Sequence, residues 1–417
     1  MKFWTNIKIQ AYVFLHYLPA LFKGELRLRQ FIAFLRRMLL FLSKLQHNKF
    51  GKMKNGIRLD LYVPTFPTSA FYTACNKFKT FGEKLPCTGV LVSVTSACMY
   101  HCQHCYQRLD KGKDTPIDLL VKTVKKLQDM GIAFFNIEGG EPFLVFDRLK
   151  AICDAIDYRS EIWVNSTGYG MTVEKLKELH VTAIMFSLHS PDPKKFNQFM
   201  GHEDAWENMQ SGIKICHEVG IPIALNTCLL KDAFYDGTFE RIMDIAKEYG
   251  ACIIQIIKPK PAGAWLENNG EFFSKQDMQH AKNKIQLYNL DKKYAKYPPI
   301  SAQIIEEEPS VFGCTAGGTD RFYINAKGDV QPCEFLYISF GNINDNLFED
   351  IYVKMRKCFD KPGTCMLCEQ ASSQIYKLFQ ENHLTALPLN PELSEKIYNS
   401  WDRGNLTELY NKIDKYE

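Results

Sequence analysis

A chain of 417 residues, 46% of them hydrophobic, can bury a sizeable core and divides into about two or three domains. Its 14 cysteines do not read as a secreted disulfide framework, because Lys2 is a weak charged start and Gln10, His16 and Pro19 interrupt the first apolar stretch, unlike a cleavable signal. The net charge of +4 hides an asymmetry: residues 1–54 carry eleven Lys or Arg against one acid, Glu25, a local balance of +10 that suits an anionic partner.

In chain order, residues 9–22 are apolar but too short and too interrupted to span a bilayer. Residues 26–46 read as one helix, with Leu28, Phe31, Ile32, Leu35, Met38, Leu39, Leu42 and Leu45 at three- and four-residue spacing. Arg27, Arg29, Arg36, Arg37 and Lys44 accompany that stripe. Such a helix can lie peripherally in a membrane interface, pack on the main domain with its charges in solvent, or meet a partner helix, and the sequence leaves all three open. No base-stacking or helix-turn-helix signature accompanies the basic segment, so nucleic acid is not expected as a partner. Residues 55–88, with Pro64, Pro67 and Pro86, read as a connector.

A regular alternation follows. Strand-like runs at 89–95, 132–138, 161–166, 183–188, 223–229 and 252–257 are separated by helix-like runs near 117–130, 147–156, 173–180, 205–218 and 238–249. The expectation is an α/β fold of repeated βα units around a parallel sheet over 89–265, with six units fitting a partial (β/α)6 barrel and a doubly wound sheet as the competitor. Residues 266–313 form a helical linker, 314–370 a second cysteine group and 371–417 a charged helical tail.

Four groups of residues carry chemistry. Cys98, Cys102 and Cys105 have the spacing C-x3-C-x2-C, directly after a strand, where parallel sheets place their sites. Three thiolates on one loop suit three irons of a cubane and leave the fourth iron open. The competing reading is zinc with a distant fourth ligand, which His101 and His104 make conceivable. Gly139-Gly140-Glu141-Pro142 ends the second strand; glycines let a backbone approach a ligand closely, and the carboxylate can accept from an ammonium group. Asn165 and Ser187-Leu188-His189 end the third and fourth strands, with His189 a candidate general base against the plainer role of a hydrogen-bonded histidine. Cys314 and Cys333 flank a predicted hairpin turning at Lys327-Gly328, and Cys365 and Cys368 complete four thiolates for an iron–sulfur cluster or zinc. Cys358 is a spare. Clustered cysteines of this kind belong to a reduced compartment, the cytoplasm.

C-x3-C-x2-C followed one unit later by GGEP resembles the radical S-adenosylmethionine superfamily, over about residues 87–370. The resemblance implies that Cys98, Cys102 and Cys105 hold a [4Fe–4S] cluster whose open iron chelates the amino and carboxylate groups of exchangeable S-adenosylmethionine. It also implies that Gly139, Gly140, Glu141 and Pro142 hold the methionine amino group, and that Asn165 and Ser187 contact the cofactor. Cys314, Cys333, Cys365 and Cys368 resemble the Twitch form of the SPASM domain, implying one auxiliary [4Fe–4S] cluster. Two departures stand out: His189 replaces an acid, and Phe199-Met200-Gly201 lies where relatives often place an arginine. Asn226 and Pro259 to Gly263 are expected on the adenosine side. The implied reaction is one-electron cleavage of S-adenosylmethionine, with a reductant such as ferredoxin or flavodoxin, and hydrogen abstraction from an unidentified substrate. Many such relatives modify peptides, yet residues 1–54 look helical rather than like a winged leader-recognition domain, and their basic start points to a lipid-linked or membrane-adjacent substrate; the alternatives are thus a peptide-modifying maturase and an enzyme of a lipid-linked or small-molecule substrate. A non-enzymatic electron carrier would need neither six βα units nor GGEP.

Overall fold

Two helices open the chain in the computed structural model, which describes residues 2–45, 48–79, 87–267 and 272–416. Pro86 of the predicted connector lies outside the described residues. α1 (Lys2–Phe22) and α2 (Leu28–Ser43) pack on each other. α2 turns Phe31, Phe34, Met38 and Leu42 inward at helical spacing. They meet Ile9, Val13 and Tyr17 of α1, Phe66, Phe71 and Phe78 of the next segment, and Leu409, Tyr410 and Ile413 near the C-terminus. The stripe from Leu28 to Leu45 is thus mostly a packing face, with Phe31, Phe34, Met38, Leu42 and Leu45 buried and Leu28 and Ile32 left exposed. Part of the basic excess is internal as well: Arg37 is buried and donates to the carbonyls of Phe78, Lys79 and Tyr416, while Lys44 reaches Ser310 O at 2.9 Å and Lys49 reaches Tyr294 O at 2.9 Å.

β1 (Gly51–Met53) and β2 (Gly56–Arg58) form an antiparallel hairpin, followed by α3 (Ser69–Cys75). The βα units then run β3 (Gly89–Ser93), α4 (Ile117–Asp129), β4 (Phe134–Glu138), α5 (Phe146–Ala155), β5 (Glu161–Ser166), α6 (Val173–Lys177), β6 (Ala183–Ser187), α7 (Pro193–Met200), α8 (Ala205–Val219), β7 (Ile223–Cys228), α9 (Thr238–Glu248) and β8 (Ile254–Ile257). α7 had no counterpart in the expected helices. Asp192 caps it by accepting from Lys195 N, Pro193 fills its first turn, and Gly201 ends it in the left-handed region.

β3 to β8 are parallel and adjacent in chain order. A doubly wound sheet reverses its order at a switch point, so this sequence of neighbours identifies the partial barrel. Strand residues of alternating sides build two cores. Val90, Val92, Phe135, Ile137, Val164, Ile184 and Phe186 face the helices. Phe134, Trp163, Met185 and Ala224 face inward, where Met53, Leu61 and Tyr62 of the N-terminal segment join them. Arg58 plugs that inner end: it is fully buried, pairs with Glu161, and lies over the Trp163 ring with its guanidinium carbon 4.3 Å from the centroid.

After β8 come α10 (Lys275–Leu290), β9 (Ile300–Ala302), α11 (Gln303–Glu306), β10 (Arg321–Ile324), β11 (Val330–Gln331), α12 (Phe348–Cys358), α13 (Leu367–Glu381), α14 (Pro391–Tyr398) and α15 (Glu408–Asp414). The predicted hairpin is β10–β11, and Gly328 at its turn has φ +92°. β10 also pairs in parallel with β3, and β9 with β8, so the barrel sheet extends to nine strands. This pairing brings the second cysteine group beside the first βα unit.

Candidate active site

The loop after β3 carries Cys98, Cys102 and Cys105 and is held on three sides by backbone bonds. Gly140 N donates to Thr95 O at 2.7 Å and Glu141 N to Ala97 O at 2.9 Å. His101 N donates to Met200 O at 3.1 Å and Gln103 N to Phe199 O at 2.9 Å, so the segment that departs from the usual arginine serves as a brace. Ala264 N donates to Cys105 O at 3.0 Å. The approach is so close that a Cβ on Gly140 would stand 2.0 Å from Ala97 O, and one on Gly263 2.1 Å from Cys105 O.

The three thiols face a cavity of about 470 Å³, within the range of small-ligand sites. Gly139 and Gly140 line it with backbone, and Asn165, Ser187 and Asn226 line it from the C-terminal ends of β5, β6 and β7. Ser187 and Asn226 are direct neighbours across the sheet. Glu141 and Pro142 do not line it. The Glu141 carboxylate is fully buried and accepts from Ser166 Oγ (2.8 Å), Thr167 N (2.8 Å), Thr167 Oγ1 (2.6 Å) and Phe143 N (3.1 Å), tying the GGEP loop to the end of β5. His189 is also off the cavity: its Nδ1 accepts from Cys228 N at 3.0 Å, its ring lies 4.3 Å from that of His104, and burial holds it neutral, well below the usual histidine range.

Sequence reasoning passed over Glu138. It ends β4 and lines the cavity, accepting from the Tyr106 phenol and from Asn165 Nδ2 at 3.2 Å. Burial pushes its carboxyl up to about 8. The signal for it is position alone, the last residue of a parallel strand. Lys260 belongs to the Pro259 to Gly263 segment expected on the adenosine side, and it lines the cavity. Its ammonium is almost fully buried between Glu307 (2.6 Å) and Glu369 (2.8 Å), and Lys258 joins the same Glu369 at 2.6 Å. Burial works against Glu369, but the two lysines outweigh it and hold its carboxyl at about 2.

The chemistry of the lining fits an iron–sulfur cluster and a polar cofactor. Burial pushes the Cys98 thiol up to about 11 and raises Cys102 and Cys105 as well, so these groups stay protonated unless a metal takes the proton's place. The buried Oδ1 atoms of Asn136 and Asn165 have no hydrogen-bond partner among the described residues and lie where a ligand would supply one. Among the described residues, no three His, Cys, Asp or Glu side chains converge as ligands of one metal ion; a cubane, with one thiolate per iron, does not require that.

In the second group, Cys314 N donates to Gly363 O at 2.8 Å, which sets Cys314 beside the strand-like turn leading to Cys365. Cys314, Cys333 and Cys368 face one cavity of about 90 Å³, walled on its far side by Met38, Phe41 and Leu42 of α2. Cys365 is half-buried but does not line that cavity, and Cys358 ends α12 away from it. Glu334 and Phe335, which follow Cys333 in the chain, line the larger cavity, and Phe335 lines the smaller one as well, so the two cavities share a wall there.

Residues 92–249 match the radical SAM superfamily, and residues 314–370 match SPASM, an iron-sulfur cluster-binding domain. An AdoMet-dependent heme synthase of Nitratidesulfovibrio vulgaris is 24% identical over 68% of this chain and 85% of its own. A probable GTP 3′,8-cyclase of Pyrococcus horikoshii is 25% identical over 60% of this chain and 84% of its own. The fold is similar to that of Streptococcus suis SuiB bound to the precursor peptide SuiA, with a TM-score of 0.54, 16% identity and 68% of each chain covered.

Proposed function

The chain is a radical S-adenosylmethionine enzyme with a C-terminal iron–sulfur cluster-binding domain, and from that premise we propose that Cys98, Cys102 and Cys105 hold the cofactor-cleaving cluster. The observation that carries this is the shared cavity of three thiols, the Gly139-Gly140 backbone and the C-terminal ends of β5, β6 and β7. When bound, cluster and cofactor supply one-electron reductive cleavage to methionine and a 5′-deoxyadenosyl radical that abstracts hydrogen from the substrate.

The protein's part is position and exclusion of water. The braces from 139–141, 199–201 and 263–264 fix the cluster loop. Gly139 and Gly140 offer backbone to the methionine end of the cofactor, while Asn165, Ser187 and Asn226 offer polar side chains along it. Glu141 acts through its hydrogen bonds to Ser166 and Thr167, as a positioning residue for Asn165. Cys314, Cys333, Cys365 and Cys368 take an auxiliary [4Fe–4S] cluster, and residues 314–370 form its domain beside a barrel of 89–265. The enzyme needs a reductant, for which a ferredoxin or flavodoxin is the proposal.

For substrate we favour a small molecule held between the cluster loop and the wall of Lys258, Glu334 and Phe335. Relatives named as a heme synthase and a GTP 3′,8-cyclase support this class. Electron paramagnetic resonance tests the site directly. S-adenosylmethionine should change the spectrum of the reduced wild-type protein and leave that of a Cys98→Ala/Cys102→Ala/Cys105→Ala variant unchanged; the same change in both would refute the assignment. Substrate class is then read from which of a metallated tetrapyrrole, GTP or a peptide panel is altered alongside cofactor cleavage.

A further inference from the structure

α1 packs with one face and shows an apolar stripe on the other. Ile9, Val13 and Tyr17 are buried, while Leu15 and Phe22 stand in solvent on the opposite side, flanked by the half-exposed Ile7 and by Phe14, whose ring also meets Phe31. Phe22 is 81% exposed and Leu15 62%. Large apolar side chains grouped on the exposed face of a helix mark a surface that meets something. The stripe continues through the turn between the two helices to Leu28, 61% exposed, at the start of α2. That turn carries Lys23, Arg27 and Arg29, all exposed, and Lys8 is exposed on α1. Glu25 is the one acid of residues 1–54.

Charge selects among the surfaces that would cover this face. A second copy would bring the same cations against themselves, since a two-fold interface pairs a patch with itself. An anionic lipid surface takes up both features: the apolar side chains enter the acyl boundary and the lysines and arginines meet the headgroups. Among the described residues no helix is long and apolar enough to cross a membrane, so the helix would lie in the interface. We propose that the outer face of α1 and the α1–α2 turn dock this enzyme on an anionic lipid surface, with Phe22 and Leu28 inserted at the tip. The surface combines the outer face of α1 with Leu28, the exposed first residue of α2, and leaves the buried remainder of the α2 face in the core; it stands apart from the cluster chemistry.

Vesicle flotation of the full-length holoenzyme tests it. The protein should rise with phosphatidylglycerol vesicles, remain behind with phosphatidylcholine vesicles, and be released from the former by high salt. Both Leu15→Glu/Phe22→Glu and Lys23→Glu/Arg29→Glu should lower binding by about tenfold or more. Leu347→Glu, at a site 69% exposed elsewhere, should leave it unchanged. Circular dichroism and iron content establish that each variant is folded. Failure to float, or flotation unaffected by both double variants, would overturn the proposal. So would a dimer in sedimentation that Leu15→Glu/Phe22→Glu dissolves, since the face would then belong to a second copy.

Discussion

The Tyr106 phenol, one residue past Cys105, donates to the Glu138 carboxylate at 2.5 Å and so ties the cluster loop to the end of β4. Asn165 holds the other carboxylate oxygen, and Gln107 Nε2 donates to the Tyr106 oxygen at 3.0 Å. The cavity therefore presents an acid that is largely neutral at neutral pH, kept so by burial.

Glu138 gives a pH-dependent stability with a defined sign. Its folded pKa of about 8 lies above its ordinary value of 4.5, so its contribution is full below about 4.5 and is lost as pH rises through about 8. Glu138→Gln should remove that decline, and thermal melts across this window should show a flatter profile than wild type. Tyr106→Phe removes a donor that favours the ionised form, so it should move the decline to higher pH. An unchanged melting profile in Glu138→Gln would show that the carboxyl does not titrate there.

Gly140→Ala and Gly263→Ala should each displace the cluster loop, because the new methyl meets backbone at about 2 Å rather than a side chain that can turn away. Iron content should fall toward half in either variant, with the auxiliary cluster kept. Gly220 also has a positive φ, +73°, but open space around its Cβ position, so Gly220→Ala should keep its iron and cost only backbone strain, about 1 kcal/mol.

Two cubanes give about eight irons per chain. Cys98→Ala/Cys102→Ala/Cys105→Ala should retain about half of that iron, and Cys314→Ala/Cys368→Ala should lose the complementary half. Metal analysis finding one zinc and a single cluster's worth of iron would assign the second group to zinc.

Phe34 is fully buried where α1, α2 and the C-terminal segment meet. Phe34→Ala should cost about 3–5 kcal/mol in denaturant unfolding. Removal of residues 1–54 should expose the faces of Phe66, Phe71 and Tyr410 and yield an unstable or aggregating protein. A stable, fully active truncated chain would contradict this packing.

The barrel strands were legible because parallel strands covered on both sides are continuous apolar runs, as in Gly89–Ser93 and Ala183–Ser187. The cysteine loop and Gly139-Gly140 were legible because spacing within a short segment survives folding. What joins distant segments was not. Nothing local in Arg321–Ile324 says that it will pair with Gly89–Val92. Nothing in Arg58 says that it will close the barrel on Glu161 and Trp163. The N-terminal helices show the same limit: both are apolar, and which faces water was decided by Phe71 and Tyr410, far along the chain. Glu141 was expected at the cofactor, but four donors from β5 and its own loop hold its carboxylate out of the cavity.

The most direct measurement is release of 5′-deoxyadenosine from S-adenosylmethionine by the anaerobically reconstituted protein with dithionite. The wild-type enzyme should release it. Cys98→Ala/Cys102→Ala/Cys105→Ala should release none while retaining its auxiliary iron. Cleavage that survives in that variant, or none in a wild-type protein carrying its full iron, would contradict the assignment of the site.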